Sequence, residues 1–258
     1  MNIVKNFVCL GAGNLAHGLC TNLTQAGFKL IKVYSKSDSA AELAEKYHAR
    51  SSDKPDSLPD NIGFIIMAVS DDSIPSVIND FSGVEVPVFH TAGSVSMNVF
   101  KGRIKRYGVI YPIQTFSKQK DISLRKVPVL VEACETSTLE LAKSIAGKLS
   151  ETVIEADSEK RCNVHIAAVF ACNFMNHMQT MAGDILQKND LPKDLLRPLV
   201  EETCQKILTL IPVDAQTGPA KRGDVKVLEK HSSMLQDWPE YKQVYDMLSE
   251  QIRKKYNR

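Results

Sequence analysis

The chain has 258 residues, 43% of them hydrophobic, enough for a sizeable core and for two domains. Its 32 basic and 30 acidic side chains leave a net charge of +2, a balance that excludes a general electrostatic attraction for nucleic acid or a membrane surface. The six cysteines, scattered at 9, 20, 134, 162, 172 and 204, form no C-x-x-C pair, so neither a zinc site nor a thioredoxin-like motif is expected. Most lie inside apolar runs, where a free thiol acts as a small hydrophobe, as suits a reducing compartment. Met1 to Leu10 runs straight into a strand pattern without the layout of a signal peptide, and Ile62–Val69 is too short to span a bilayer. A soluble cytoplasmic protein is the expectation.

In chain order, the first half alternates short apolar runs with helical patterns. Strands are expected at Phe7–Leu10, Leu30–Tyr34, Phe64–Val69, Val86–His90, Val109–Tyr111, Val127–Val131 and Val153–Glu155. Helices are expected at Leu15–Ala26, Ala40–Tyr47 and Thr138–Leu149, with Gly27 as a left-handed cap of the first. Such alternation implies an α/β fold with a mostly parallel, doubly wound sheet of the Rossmann type. From Ser158 to Leu186 the spacing turns helical without a proline, which predicts one long central helix. Helices near Lys193–Leu210, Val225–Leu235 and Pro239–Lys255 follow. The expected organisation is a Rossmann domain over residues 1–155 and an all-helical domain over 156–258.

Gly11-Ala12-Gly13-Asn14-Leu15-Ala16 reads as G-x-G-x-x-A between the first strand and the first helix. The chemistry needs these residue types. Gly11 permits the tight turn, Gly13 lets backbone approach a pyrophosphate, and Ala16 is small enough for close helix–strand packing. The helix N-terminus presents unpaired N–H groups and a positive dipole end. The bland alternative is an ordinary glycine-containing turn.

The second strand ends in Ser35-Lys36-Ser37, where an NAD site usually carries an acidic residue. Two hydroxyls and an ammonium fit a 2′-phosphate, so NADP(H) is the expected cofactor. Asp38 is read as the cap of the next helix. Two later strand ends should line the same crevice: Ala68-Val69-Ser70, followed by Asp71 and Asp72, and Thr91-Ala92-Gly93, followed by Ser94. For the second of these a purely structural turn is an equal competitor.

Together with Tyr111-Pro112-Ile113-Gln114-Thr115-Phe116, His165-Ile166-Ala167-Ala168-Val169-Phe170-Ala171-Cys172-Asn173-Phe174 and Thr217-Gly218-Pro219-Ala220-Lys221-Arg222-Gly223-Asp224, followed by His231, these segments resemble a known family. It is that of the NADP oxidoreductases with a Rossmann-like domain and a helical C-terminal domain of unknown function. The family is similar to pyrroline-5-carboxylate reductase and to the deazaflavin-dependent NADP oxidoreductases. The resemblance implies the fold, the cofactor and dimerisation through the helical domain. Two departures stand out. Gly218-Pro219-Ala220-Lys221-Arg222-Gly223 replaces the Gly-Gly-Thr-Thr type turn of the pyrroline-5-carboxylate reductases. Val169 and Cys172 stand where a β-hydroxyacid dehydrogenase carries a lysine four residues before its asparagine.

His165, Asn173 and His177 fall at i, i+8 and i+12 on the long helix and form one polar stripe if the helix is uniform. Hydride transfer needs a proton donor beside the receiving atom, and histidine supplies one near neutral pH. His165 is therefore the expected general acid and Asn173 the group that orients substrate. A satisfied core or interface histidine is the equal alternative for His165, and the favoured one for His177. Gln114, Arg222 and His231 are candidates for substrate binding, Arg222 as a carboxylate clamp unless it pins Asp224. The function expected is hydride transfer to or from a small carbonyl, imine or alcohol. The alternative is a non-catalytic NADP(H)-binding sensor or regulatory protein, with a flavin or deazaflavin coupling enzyme third.

Overall fold

The computed structural model describes residues 4–54, 58–118 and 120–256. It divides into two compact units, Met1–Ala171 and Cys172–Arg258. The first is built on one eight-stranded sheet: β1 (Asn6–Leu10), β2 (Lys29–Tyr34), β3 (Arg50–Ser52), β4 (Phe64–Met67), β5 (Val88–His90), β6 (Tyr107–Pro112), β7 (Val129–Ala133) and β8 (Val153–Glu155). Their order across the sheet is β3-β2-β1-β4-β5-β6-β7-β8. All neighbours pair in parallel except β6 and β7. Helices α1 (Asn14–Gln25), α2 (Ser39–Lys46), α3 (Ile74–Asp80) and α4 (Thr136–Leu149) cover its faces.

The pleat explains the core. Phe7, Cys9, Phe64 and Ile66 point to the face that packs α1, α2 and α4. Val8, Leu10, Ile65 and Met67 point to the other, against Ile74, Ile78, Phe81 and Phe100. Strands buried on both sides must be apolar at every position, which is why these runs read as continuous rather than alternating.

Two features of the mostly parallel sheet go beyond the sequence reading. β3 was not expected, because Arg50-Ser51-Ser52 carries no apolar residue; its Ser51 pairs with Val33 by backbone alone. The β6–β7 pair is antiparallel; among the described residues between the two strands there is no crossover helix of the kind a parallel pair needs. Gly27 does take the left-handed conformation after α1, with φ +88°.

The expected domain boundary at 155 coincides with the end of β8, whereas the compact units part after Ala171. The difference lies in α5 (Ser158–Ala168), which is pinned to the sheet unit by a buried arginine. Arg161 is 1% exposed, forms an ion pair with Glu132 on β7 and donates to the Val95 carbonyl. Ser158 Oγ donates to Glu132 and accepts from Met97 N at 3.0 Å.

The expected single helix over 158–186 is also not uniform. Residues Val169–Phe174 are π-helical and separate α5 from α6 (Met175–Lys188). A π-turn is wider than an α-turn, so it breaks the i+4 ladder between His165 and Asn173 on which a single polar stripe depended.

The second unit contains α6, α7 (Arg197–Thr209), α8 (Pro212–Ala215), α9 (Pro219–Arg222), α10 (Val225–Met234) and α11 (Pro239–Tyr256). Among its described residues, only Met181 and Ala220 belong to the buried apolar set. Large apolar side chains stand exposed instead, including Leu199 at 62%, Leu208 at 79% and Met234 at 72%. No described helix is long and apolar enough to cross a membrane.

Candidate functional site

The strand order reverses between β1 and β4, and the crevice beyond the carboxyl ends of these strands is where open α/β sheets take ligands. A groove of about 660 Å³ lies there. It is lined by Gly11, Ala12 and Gly13, by Ser35, Lys36 and Ser37, and by Ala68, Val69 and Ser70. The G-x-G turn, the end of β2 and the end of β4 thus meet at one surface, as the sequence implied.

The two glycines differ in what they do. Gly11 has φ +108° and its N–H donates to the Tyr34 carbonyl at 2.7 Å. A β-carbon there would run into the Ala68 carbonyl group, so the fold itself requires glycine. Gly13 has φ −78°, open to any residue, and a β-carbon there would meet no protein atom within 4 Å. Nothing among the described residues explains its missing side chain. Gly13 borders the groove at the N-terminus of α1, whose first turn carries no acidic residue and no side-chain cap. An anion lying against bare N–H groups fits that opening.

At the far end of the groove, Ser35 N donates to Ser52 O at 3.1 Å, which brings the loop after β3 alongside the loop after β2. Lys54 and Asp53 therefore join the lining, and both were missed because β3 itself was missed. Lys36 and Ser37 are exposed. Asp38 does not cap α2 through its side chain; Ser37 Oγ accepts from Ser39 N at 3.3 Å instead. Val77 and Phe81 form an apolar wall, with Phe81 edge-on to Tyr34 at 5.2 Å between centroids.

Asn14, Leu15, Thr91, Ala92 and Gly93 are not among the groove's lining residues. Thr91 is buried, and its hydroxyl donates to the Met67 carbonyl, so it joins β5 to β4 and has no hydrogen left to offer a ligand. His90 Nδ1 accepts from Ala92 N at 3.2 Å, which holds the turn after β5; burial drives the His90 pKa down to about 3.

That turn carries a second constellation. Gly93 faces His165 so closely that a β-carbon would stand 2.6 Å from Nδ1. Tyr111, near the end of β6, approaches the same nitrogen with its hydroxyl at 3.1 Å. Ser94 Oγ donates to Asp71, just after β4. Asp71 thus ties the loop after β4 to that turn, and the loop after β5, the end of β6 and α5 converge around one half-buried imidazole. Its proton chemistry was legible in His165; Tyr111 was read only as part of a motif, because phenol and imidazole lie 54 positions apart.

Gln114 is exposed and its Oε1 accepts from Thr115 N at 2.8 Å, so it orders its own loop. The remaining candidates belong to the helical unit. Asn173 and His177 are exposed, Asn173 within the π-helical turn. Arg222 is held by Asp224 at 2.9 and 2.8 Å, the pinning alternative to a carboxylate clamp. His231 Nδ1 lies 2.9 Å from the Tyr245 hydroxyl.

A protein family described as "Domain of unknown function (DUF2520)" matches residues 127–252. No curated protein matches the sequence. Among solved structures, BF3122 from Bacteroides fragilis, named a "putative NADP oxidoreductase", is 39% identical with a TM-score of 0.91, covering 97% of this chain and 98% of its own. A pyrroline-5-carboxylate reductase from Streptococcus pyogenes shares the fold at 13% identity and a TM-score of 0.64, over 96% and 98% of the two chains. An imine reductase from Myxococcus stipitatus, solved with NADP+, does so at 15% and 0.63, over 96% and 93%. With its Rossmann-type sheet, its helical unit and 39% identity to the B. fragilis protein along nearly the whole chain, this protein belongs to the NADP oxidoreductases that join a Rossmann-like domain to the DUF2520 region.

Proposed function

We propose that this protein is an NADP(H)-dependent oxidoreductase that passes hydride to or from a small carbonyl, imine or alcohol. One observation carries the reading: Gly13 has neither a conformational nor a packing reason to be glycine, and it opens onto the groove at the N-terminus of α1. The backbone N–H groups of that first turn hold the diphosphate. Lys36, with the hydroxyls of Ser35 and Ser37, meets the 2′-phosphate, and Lys54 adds a second cation. Asp53 and Asp80 in the same lining oppose that charge, so discrimination between NADP(H) and NAD(H) rests on the balance of the four. The structures of related fold with NADP+ or NADPH bound support the cofactor.

Bound cofactor supplies the hydride. The chain supplies the proton, from His165, and keeps the ring in place with Gly93 and Tyr111. Calorimetry with NADPH, NADP+ and NADH tests the first half of the reading. Nicotinamide oxidation across a panel of small carbonyl and imine compounds tests the second. A groove indifferent to all three dinucleotides ends the proposal; binding without turnover on any compound leaves the non-catalytic sensor.

The working unit is a homodimer formed through the helical unit. Leu195, Leu199, Leu208, Leu210, Ile211 and Met234 are each more than half exposed, and a helical unit with so little buried apolar area cannot stand against water alone. A second copy of the same surface is the simplest cover. Six free cysteines suit a reducing, cytoplasmic setting.

A further inference from the structure

Tyr111 and His165 are bound to each other in a way that hydride transfer alone does not explain. The phenol oxygen is 3.1 Å from Nδ1, and the rings meet edge to face with centroids 6.1 Å apart. Among the described residues, His165 is the hydroxyl's only hydrogen-bond partner. A phenol has a single hydrogen. If Nδ1 carried the ring proton, the Tyr111 oxygen would accept it and its own hydrogen would have no partner among the described residues. If the phenol donates, Nδ1 is the acceptor and the ring proton sits on Nε2. Burial, with the Asp71 carboxylate adding to it, pushes the phenol pKa up, so the hydroxyl keeps its hydrogen at neutral pH.

This matters because a neutral imidazole is a poor acid: giving up the Nε2 proton unaided would leave an imidazolate. Resting on the reading of His165 as proton donor, we propose that Tyr111 is a positioning residue that sets the His165 tautomer and refills its ring during proton transfer. As hydride reaches the carbonyl or imine carbon, the Nε2–H bond breaks and an O–H or N–H bond forms on the substrate. The Tyr111 O–H bond breaks and an Nδ1–H bond forms. The ring stays neutral and changes tautomer. The negative charge moves from substrate to the phenolate, which takes a proton from water. A phenol, even with its pKa raised, is a stronger acid than an alcohol or an amine, so the relay runs downhill.

The test does not need the substrate. Full-length protein carrying ¹⁵N-labelled histidine is examined by long-range ¹H–¹⁵N NMR, with His165→Gln used to assign the ring. In wild type the neutral ring is expected to hold its proton on Nε2 as a single tautomer. Tyr111→Phe, which keeps the ring packing, is expected to give a mixture of the two tautomers. A wild-type proton on Nδ1, or a Tyr111→Phe spectrum with the wild-type tautomer, overturns the proposal. Because the signal is read without cofactor, its failure is distinct from failure to bind NADPH.

Discussion

Gly93 lies against the imidazole of His165, so that a β-carbon would stand 2.6 Å from Nδ1 and 2.7 Å from Cγ. This is tighter than packed atoms tolerate. Gly93→Ala therefore displaces the ring, at a cost of about 1–3 kcal/mol in stability. Because the clash is with the His165 ring, turnover is expected to fall by at least about tenfold, one order for ~1.4 kcal/mol, and by more than the affinity for NADPH. Equal loss of binding and turnover would place Gly93 in the cofactor site instead.

The two glycines of the phosphate loop should separate folding from binding. Gly11→Ala is expected to destabilise by about 2 kcal/mol or more, through its positive φ and the clash with Ala68. Gly13→Ala meets no atom and should leave the denaturation midpoint nearly unchanged, yet weaken NADPH about tenfold or more by lifting the diphosphate off the backbone. Urea unfolding and calorimetry on the two variants read the contrast.

Charge at the end of β2 should decide between cofactors. Lys36→Glu places a carboxylate where the 2′-phosphate is expected, and NADPH affinity should fall at least about tenfold further than NADH affinity. Lys54→Gln should move the ratio in the same direction by a smaller step. A parallel loss for both dinucleotides would show that neither lysine reads the phosphate.

His90 makes stability depend on pH. In the fold it stays neutral down to about pH 3, because burial opposes its charge and Arg161 adds to this. Unfolded, it takes up a proton near pH 6.5. The unfolded state thus binds more protons between these values, and stability falls as pH drops from about 6.5 towards 3, by up to ~1.4 kcal/mol per unit. Above pH 6.5 the group contributes no slope. In His90→Asn that part of the slope should disappear, as measured by denaturant midpoints at pH 7, 6 and 5.

Dimerisation is checked by sedimentation velocity. Wild type is expected at twice the chain mass at micromolar concentration. Leu199→Glu combined with Leu208→Glu sets two charges on the exposed apolar face of α7 and should release monomer. A wild-type monomer would overturn the homodimer.

Much of the first unit could be read directly from the chain. Short continuous apolar runs such as Phe64–Met67 suit a strand buried on both faces, and Gly11-Ala12-Gly13 between strand and helix matches the pattern of a phosphate loop. Lys54 was illegible because its strand pairs through backbone, which a side-chain pattern does not record. The long helix misled for a similar reason: apolar spacing over 158–186 is equally compatible with a π-turn, and only the hydrogen bonds of Val169–Phe174 distinguish it.

Local chemistry in the sequence thus determined the strands, the glycine turn and the candidate acid His165, since each depends on residue type and spacing within about one element. The tertiary structure alone decided which hydroxyl meets that imidazole, which glycine is structural and which is open, and that Arg161 ties α5 to the sheet. Those relations join residues far apart in the chain, and their geometry comes from strand order and packing, which no local pattern encodes.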